Sequence, residues 1–309
     1  MKIIRGLHNL RQFKGASVAT IGNMDGVHLG HQAVLGQLAE KASVLGLPTV
    51  VILFEPQPQE FFAKEKAPAR LLRFREKVEA LRRFSVDYVL CLPFTKHLAT
   101  IRAQQFIQQV LVEGLAVRYL VIGDDFRFGY QREGDFATLS AAGINHGFQV
   151  AKMHSFMVDE LRVSSTAIRQ ALAEGDLGTA EKYLGRPYRM SGRVIRGDAR
   201  GRELGFPTAN LSLHRTVSPI HGVFAVEMFG IQGEPVPGVA NVGTRPTVDG
   251  TRALLEVHLL DFEQTIYGRH VQVNFLHKIR SEIKFASLDE LVAQIRRDAE
   301  QARLFHEMS

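Results

Sequence analysis

The sequence predicts an α/β domain with a parallel sheet, followed by an all-β domain that forms an antiparallel barrel or sandwich. Before residue 185, short apolar runs alternate with segments of helical periodicity, which is typical of βα units. After residue 185, short apolar runs are separated by glycine and proline turns, and helical periodicity returns only near the C-terminus. We therefore expect two domains, residues 1–185 and 186–309.

In the first domain, apolar periodicity predicts five strands and five helices. The run 49–54 is apolar throughout, as in strands that are buried on both faces of a parallel sheet. Ligands bind such sheets beyond the carboxyl ends of the strands, so the loops at that edge are the candidate sites. The predicted strands are 17–22, 49–54, 86–92, 118–123 and 149–154, and the predicted helices are 30–45, 75–84, 103–115, 136–146 and 165–174.

In the second domain, the turns between apolar runs favour antiparallel pairing. A final segment, 288–305, has the periodicity of an amphipathic helix. The predicted strands are 189–195, 223–229, 238–242, 254–260 and 270–275.

Composition is that of an ordinary globular protein, with 45% hydrophobic and 23% charged residues. The net charge of +6 includes no basic tail or block, which argues against nucleic acid as the main partner and fits anionic small molecules. We find no signal-peptide pattern and no apolar run long enough to cross a membrane, so we expect a cytoplasmic protein. The single cysteine, Cys91, is expected to be a buried strand residue.

The stretch Gly22–His31 lies between the first predicted strand and the first predicted helix. His28 and His31 are three residues apart, which puts both imidazoles on one face of the first helical turn. The free N–H groups of a helix start favour an anion, and Gly30 leaves the backbone open to a phosphate. The pattern predicts a nucleotide phosphate site; the alternative is a pair of surface histidines in a glycine-rich loop.

Two further loops at this edge follow the second and fourth strands. After the second strand, Phe54 and Phe62 could flank a flat aromatic ring or could pack on their own domain. After the fourth strand, Asp124 or Asp125 could bind a ribose or adenine, or could cap a helix or turn. These residue types at this edge favour a nucleotide and an aromatic substrate.

The last helix of the first domain begins with hydroxyl side chains. Ser165 and Thr166 are typical helix caps when they stand alone. Arg169 lies one turn further along, and a guanidinium beside hydroxyls and free N–H groups can form a second phosphate site.

Together these segments resemble a known family. Gly22–His31 is similar to the HxGH signature of the nucleotidylyltransferase superfamily, which implies a Rossmann-like domain. With Phe54-Glu55-Pro56, residues 123–129 and residues 164–169, it resembles the adenylyltransferase half of bifunctional bacterial riboflavin kinase/FAD synthetases. In that family this half joins FMN and ATP to give FAD and pyrophosphate.

The resemblance implies roles for individual residues of this half. His28 and His31 would contact the ATP phosphates during transfer, and Asn23 would support the same site. The attacking FMN phosphate is already ionised at pH 7, so positioning and charge stabilisation suffice without a strong base. Gln57 stands where the family commonly has histidine, which argues against acid–base chemistry in that loop. The other implied ATP contacts are Gly30, Asp125, Ser165, Thr166 and Arg169, and the implied flavin contacts are Phe54, Pro56, Pro58, Phe62 and Phe128.

In the second domain, the informative loop runs from Gly201 to Asn210. Gly201 and Gly205 let the backbone approach a phosphate closely. Thr208 and Asn210 point the same way if the chain is extended, and both carry hard oxygen donors suited to Mg²⁺ that arrives with ATP. The alternative is a hairpin loop with an ordinary polar end.

Glu256 lies on the opposite side of its strand from the apolar Leu255 and Val257. A carboxylate there could take a proton from a substrate hydroxyl, or could simply face solvent.

These features resemble the riboflavin kinase half of the same family. The resemblance implies a six-stranded antiparallel barrel with a C-terminal helix, in which Thr208 and Asn210 bind Mg²⁺–ATP and Gly201 and Gly205 lie in the phosphate-binding loop. Glu256 would activate the 5′-hydroxyl of riboflavin, which is un-ionised at pH 7. The matching segments are 205–210, 238–247, 261–262, 267–268 and 280–285.

We therefore expect a two-site enzyme that converts riboflavin to FMN in its second half and FMN to FAD in its first. Its expected partners are riboflavin, FMN and ATP, without nucleic acid or membrane, and its expected state is a monomer or weak homo-oligomer. Two alternatives stay open: a first half that adenylylates a different phosphate, and a flavin-binding regulator or carrier that contacts RNA through its spread positive charge.

Overall fold

The structure, a computed structural model, describes residues 1–197, 204–247 and 250–308. Contacts divide the chain into two compact units, Met1–Pro68 with Leu72–Ser164, and Ala69–Leu71 with Ser165–Ser309. By these contacts, residues 165–185 belong with the second unit, whereas the sequence pattern grouped them with the first. A functional division after residue 185 stays a prediction.

The first unit contains a six-stranded sheet with helices on both sides. Neighbouring strands pair in parallel throughout, in the order β1-β4-β3-β2-β5-β6. The strands are β1 (Lys2–Arg5), β2 (Ser17–Ile21), β3 (Thr49–Glu55), β4 (Tyr88–Pro93), β5 (Val117–Gly123) and β6 (Gln149–Met153). The helices are α1 (Leu29–Leu45), α2 (Pro58–Ala63), α3 (Phe74–Leu81), α4 (Lys96–Thr100), α5 (Ala103–Phe106) and α6 (Phe136–His146).

Alternate residues of the central strands enter two different cores, one on each face of the sheet. Ala19 and Ile21 of β2 belong to one core, and Val18 belongs to the other. This double burial explains why the strands read as continuous apolar runs. The parallel α/β fold of this half is confirmed.

The strand order creates a switch point between β2 and β5. From β2 the chain moves outward on one side to β3 and β4, and it then returns to form β5 on the other side of β2. At such a point the loops after the two strands diverge and leave a crevice, which is where open α/β sheets bind ligands. The histidine loop after β2 and the aspartate loop after β5 flank this crevice.

A two-stranded antiparallel hairpin follows β6. It consists of β7 (Met157–Val158) and β8 (Leu161–Arg162), and its turn holds Asp159 and Glu160 at positive φ. The sequence analysis did not predict this hairpin, since two-residue strands carry no periodicity.

The second unit contains a closed antiparallel barrel of six strands in the order β10-β13-β12-β11-β14-β9. The barrel with a terminal helix is therefore confirmed, and the sandwich alternative is wrong. Closure leaves none of the six described strands at an edge, because β10 pairs with both β13 and β9. The elements are α7 (Ser165–Glu174), α8 (Leu177–Leu184), β9 (Tyr188–Ile195), β10 (Thr208–Ser212), β11 (Gly222–Phe229), β12 (Val236–Thr247), β13 (Gly250–Leu259), β14 (His270–Arg280) and α9 (Leu288–Met308).

The terminal helix α9 packs on the outside of the barrel. Ala302 of α9 joins a buried apolar cluster with Val223 and Ala225 of β11 and Val239 of β12. The helix therefore covers part of the outer barrel surface with its apolar stripe, as its periodicity predicts.

A buried ion pair joins α9 to the end of β14. The Arg280 guanidinium donates to both carboxylate oxygens of Asp298, with Nε at 2.9 and 3.1 Å and Nη2 at 2.6 Å. Gln294 Nε2 donates to the same carboxylate at 2.8 Å, and Asp298 is only 2% exposed. The Asp298 carboxylate is therefore buried among its hydrogen-bond donors, and the Arg280 side chain is 20% exposed, so removal of Asp298 would leave a mostly buried guanidinium without its counter-charge.

Asp298→Ala is expected to lower the free energy of unfolding by about 3 kcal/mol, because it leaves a guanidinium largely buried without its counter-charge. Urea denaturation followed by circular dichroism measures this loss. Glu300→Ala, at an exposed position of the same helix, is the matched control and should change stability by less than about 0.5 kcal/mol. Equal losses in the two variants would show that the Asp298 pair contributes nothing specific.

Candidate active sites

The two histidines lie together at the start of α1. His28 is the N-cap residue, with extended backbone, and its Nδ1 accepts from the backbone N–H of His31 at 3.4 Å. The two imidazole rings are stacked, with centroids 3.6 Å apart and planes 22° apart. Because Nδ1 of His28 is an acceptor, a neutral His28 carries its proton on Nε2 and can donate from that atom.

His31 lies in a setting that opposes its protonation. Burial lowers the pKa of His31 well below its usual value, and the positive charges of His28 and Lys77 lower that pKa further. Within the described part of the chain, the buried Nδ1 of His31 has no hydrogen-bond partner. This setting therefore favours the neutral form of His31, and one polar atom of its ring has no partner among those residues.

The loop between β2 and α1 is held in a strained conformation. Met24 and Val27, both non-glycine residues, have φ values of 47° and 43°. The carboxylate of Asp25 accepts from the backbone N–H of Leu72 at 3.0 Å, and the carbonyl of Asn23 accepts from Lys77 Nζ at 2.5 Å. Leu72, just before α3, and Lys77, within α3, thus hold this loop in place by hydrogen bonds.

Gly30 is needed for packing inside this turn. A Cβ at position 30 would lie 3.2 Å from two ring atoms of His28 and 3.5 Å from Cβ of Phe156. A side chain here would therefore press on the His28 ring. This steric reason adds to the open backbone that the sequence analysis expected.

Aromatic rings line the loops after β3 and β4. The ring of Phe94 lies edge-on to both Phe54 and Phe62, at centroid distances of 5.8 and 5.7 Å, and Phe61 completes the cluster. The predicted gap between Phe54 and Phe62 is thus taken by Phe94. Phe62 is 68% exposed, which leaves it a face for a ligand.

Gln57 is buried inside the same loop. Pro56, on its N-terminal side, follows a cis peptide bond, and Pro58, on its C-terminal side, begins α2. Gln57 is 4% exposed, and among the described residues its Nε2 has no hydrogen-bond partner. The flavin roles of this loop stay predictions.

Phe128 lies in the loop after β5 and is only 8% exposed. Its ring stacks on Phe126 at 5.6 Å and packs against Phe106 at 5.7 Å. The residue is thus built into the core of the first unit, and a flavin contact would use the small part of the ring that remains accessible.

The aspartates of this loop are tied to the hairpin. Arg162 Nη2 donates to Asp125 at 2.8 Å and to Asp124 at 3.3 Å. A hydrogen bond from the Ser155 hydroxyl lowers the pKa of Asp124, and the charge of Arg162 lowers it further. A nucleoside that binds Asp125 would therefore compete with Arg162, a residue that the sequence analysis did not single out.

The hydroxyls and the arginine of α7 belong to the second unit. Ser165 and Thr166 begin the helix. The Nε of Arg169 donates to the carbonyl of Ala69 at 2.6 Å, and both residues lie in the second unit. The predicted ATP contacts of these three residues stay predictions.

A second polar site lies on the outer face of the barrel. Strand register places Asn210 directly opposite Glu256 and Thr208 directly opposite His258. Paired residues point to the same side of a sheet, so these four side chains share one face. The intervening Ala209, Val257 and Leu255 are buried and face the barrel interior. The predicted metal ligands and the predicted base are thus brought together.

Asn241 and Gly197 complete this site from neighbouring strands and loops. Asn241 of β12 pairs with Glu256 on the other side of β13. A Cβ at Gly197 would lie 2.4 Å from Nδ2 of Asn210, so a side chain at position 197 would displace that amide. Asn241 became a candidate only once the strand register was known, since pairing of β12 with β13 is what places it beside Glu256.

The loop before β10 is partly described. Gly205 has a φ of 86°, and nothing lies within 4 Å of its missing Cβ, which leaves its backbone open. The other predicted loop glycine, Gly201, lies outside the described residues. The Nδ1 of His258 lies 3.0 Å from the carbonyl oxygen of Pro207 and so helps to fix the end of this loop.

The donor set fits a magnesium ion that comes with ATP. Within the described ranges, no three His, Cys, Asp or Glu side chains cluster as metal ligands. Thr208 and Asn210 offer one hydroxyl and one amide oxygen, which suit a hard cation that keeps phosphate and water ligands.

Among the described residues, no helix has both the length and the apolar character that a membrane crossing requires.

Comparisons with known proteins match each half of the chain. A family model described as FAD synthetase matches residues 10–167, and one described as riboflavin kinase matches residues 184–306. The bifunctional riboflavin kinase/FMN adenylyltransferase of Escherichia coli K12 is 55% identical over 99% of this chain and 98% of its own length. The Haemophilus influenzae protein of the same name is 53% identical over 99% of both chains.

A solved structure supports the fold over both units. The crystal structure titled macrolide-efflux protein from Streptococcus pneumoniae superposes with a TM-score of 0.81 and 32% identity, over 97% of this chain and 98% of that one. The matches run nearly from end to end, with the two domain types in the order expected from the sequence. The chain belongs to the bifunctional riboflavin kinase/FMN adenylyltransferase family.

Proposed function

We propose that the two sites divide the family's two reactions, with the histidine turn serving adenylyl transfer and the Glu256 face serving phosphoryl transfer. The enzyme is a riboflavin kinase and an FMN adenylyltransferase, with the FAD synthetase domain first and the riboflavin kinase domain second. What supports the division is the register that sets Asn210 opposite Glu256 in the riboflavin kinase half.

In the first half, an oxygen of the FMN phosphate attacks the α-phosphorus of ATP, and the bond to the β-phosphate breaks to release pyrophosphate. The nucleophile is already ionised, so catalysis consists of placing two anions together and stabilising the charge that develops. His28 can donate from Nε2 to the phosphate oxygens, while its Nδ1 stays bound to the helix backbone. His31, which is neutral, stacks against it and sets its ring plane.

In the second half, the 5′-oxygen of riboflavin attacks the γ-phosphorus of ATP, and ADP leaves. The hydroxyl must lose a proton as the new P–O bond forms, and we assign this proton to the Glu256 carboxylate. Thr208 and Asn210 lie on the same face as Glu256 and would hold the Mg²⁺ ion of Mg²⁺–ATP. Mg²⁺, when bound there with ATP, neutralises phosphate charge.

The remaining assignments follow the same division. Asn23, Gly30 and Asp125, with Ser165, Thr166 and Arg169, would bind ATP for adenylyl transfer. Phe54, Pro56, Pro58, Phe62 and Phe128 would line the flavin site, and Gly205 would meet the ATP phosphates in the kinase half. A cytoplasmic location and a monomeric or weakly associating state stay predictions.

A time course with riboflavin, ATP and Mg²⁺, with flavins separated by chromatography, tests the proposal. FMN is expected first and FAD later, and chelation of Mg²⁺ by EDTA should stop FMN formation. FMN without FAD would move the first half to another phosphate substrate. Flavin binding without any product would instead favour a carrier or regulator and overturn the proposal.

A further inference from the structure

Lys77 is a buried charge that neither proposed reaction uses. It lies on α3, and its side chain is among the largest that the structure buries completely, with an exposure of 1%. Lysine is almost never fully buried unless its ammonium is hydrogen-bonded and charge-compensated, because desolvation of the ammonium is costly. Its burial therefore needs a structural or functional reason.

The ammonium of Lys77 contacts the loop that carries the histidines. Its Nζ donates to the backbone carbonyl of Asn23 at 2.5 Å. Asn23 is adjacent to Met24, whose φ of 47° is unfavourable for a non-glycine residue, and Val27 further along has a φ of 43°. A loop in this conformation persists only when its surroundings hold it, and a charged donor forms a stronger hydrogen bond than a neutral one.

The segment before α3 supplies a second support for the same loop. The backbone N–H of Leu72 donates to the buried carboxylate of Asp25 at 3.0 Å. Asn23 and Asp25 are thus both bound from one side, and the loop leads directly to the N-cap His28. The position of the two imidazoles relative to the sheet therefore depends on the hydrogen bonds that Lys77 and Leu72 make to this loop.

The charge of Lys77 also reaches the histidine pair. Its ammonium is close enough to lower the pKa of His31. In a buried setting the effective dielectric constant is low, so the positive charge of Lys77 also favours the binding of phosphates at the histidine turn.

We propose that Lys77 is a positioning residue for adenylyl transfer, which fixes the Asn23 carbonyl and thereby sets His28 and His31 against the reacting phosphates. This inference rests on the proposed role of the two histidines. Lys77 itself touches neither nucleotide nor flavin in this assignment.

Lys77→Met keeps a long apolar stem and removes the ammonium. We expect the kcat of FAD formation from FMN to fall about 10- to 100-fold, since small misplacements of catalytic groups cost that much. The KM values for ATP and FMN should change less than kcat, and riboflavin phosphorylation by the same preparation should stay within about twofold. A folded Lys77→Met enzyme with unchanged kcat for FAD formation would overturn the inference.

Val78→Ala separates positioning from simple core packing. Val78 is buried on the same helix, and its truncation lowers stability while it leaves the hydrogen bond from Lys77 to the Asn23 carbonyl in place. It should leave the kcat of FAD formation within about threefold. If Val78→Ala lowered this kcat as much as Lys77→Met at equal loss of stability, the role of Lys77 would be structural only and the inference would fail.

Lys77→Gln keeps the test decisive if the methionine variant does not fold. The amide retains an N–H donor but no charge, and a loss of kcat for FAD formation of at least about fivefold is expected. Full kcat in a folded Lys77→Gln enzyme would overturn the inference. His28→Ala in the same assay distinguishes failure of the proposed histidine site from failure of the inference about Lys77. If His28→Ala keeps its rate of FAD formation, the proposed site is wrong. If His28→Ala is inactive while Lys77→Met is fully active, only the role of Lys77 is rejected.

Discussion

Glu256→Gln is expected to abolish FMN formation while FAD formation from supplied FMN continues. The substitution keeps the shape of the side chain and its position opposite Asn210, but it removes the carboxylate that accepts the proton of the riboflavin hydroxyl. Loss of a positioned general base typically costs 10² to 10⁴ in rate. The kcat for riboflavin phosphorylation should therefore fall by about 10³.

The two activities are measured separately, with riboflavin or FMN as the starting flavin. Glu263→Gln makes the same chemical change at an exposed position and should leave both rates unchanged. If folded Glu256→Gln kept its rate of riboflavin phosphorylation, another group would have to accept the proton of the riboflavin hydroxyl, and the role of Glu256 as the base would be wrong. If it lost both reactions, the division into two sites would be wrong.

The fold was largely predictable because the first half alternates short apolar runs with segments of helical periodicity, whereas the second half shows helical periodicity only near its end. The buried run 49–54 and the helix 30–45 correspond to β3 and α1 within one residue at each end. The edge strand β1 was missed, since it is four residues long and only Ile4 is buried. The helix predicted over 103–115 is α-helical only at Ala103–Phe106 and continues as a π-helix over Ile107–Val112, a change of hydrogen bonding that residue spacing does not reveal.

The candidate sites were predictable only where their residues lie close together in sequence. The histidine pair and the Thr208–Asn210 pair follow from spacing on one element. Asn241 depends on strand register, and Arg162 depends on a hairpin too short to predict. Lys77 was not singled out within the predicted helix 75–84, because a sequence does not show which polar side chain of a helix is buried in the fold.

The two sites differ in the proton that each reaction must move. In the proposed division, the FMN phosphate attacks as an anion, so a hydrogen-bonding histidine pair at a helix N-terminus would be sufficient for adenylyl transfer. The riboflavin hydroxyl attacks only as its proton leaves, so the kinase face needs a carboxylate. If the proposed division holds, the chemistry of each nucleophile accounts for histidines in one site and a glutamate in the other.

His28→Ala is expected to produce the opposite loss, with FAD formation reduced about 10²- to 10³-fold and riboflavin phosphorylation retained. The variant removes the Nε2 donor and also the Nδ1 acceptor that caps α1. An alanine at an N-cap position costs about 1 kcal/mol of stability by itself, so this variant alone does not separate catalysis from capping.

His28→Asn makes that separation, because asparagine is among the best N-cap residues and its carbonyl can accept from the His31 N–H in place of the imidazole. The helix start is then preserved while the aromatic donor is gone. Thermal melts and both flavin assays are run on the two variants together. We expect His28→Asn to recover the stability lost in His28→Ala but not the rate of FAD formation. Recovery of that rate would show that His28 acts by capping α1, and the adenylyl-transfer role would then fall to His31 and to the phosphate contacts of the helix backbone.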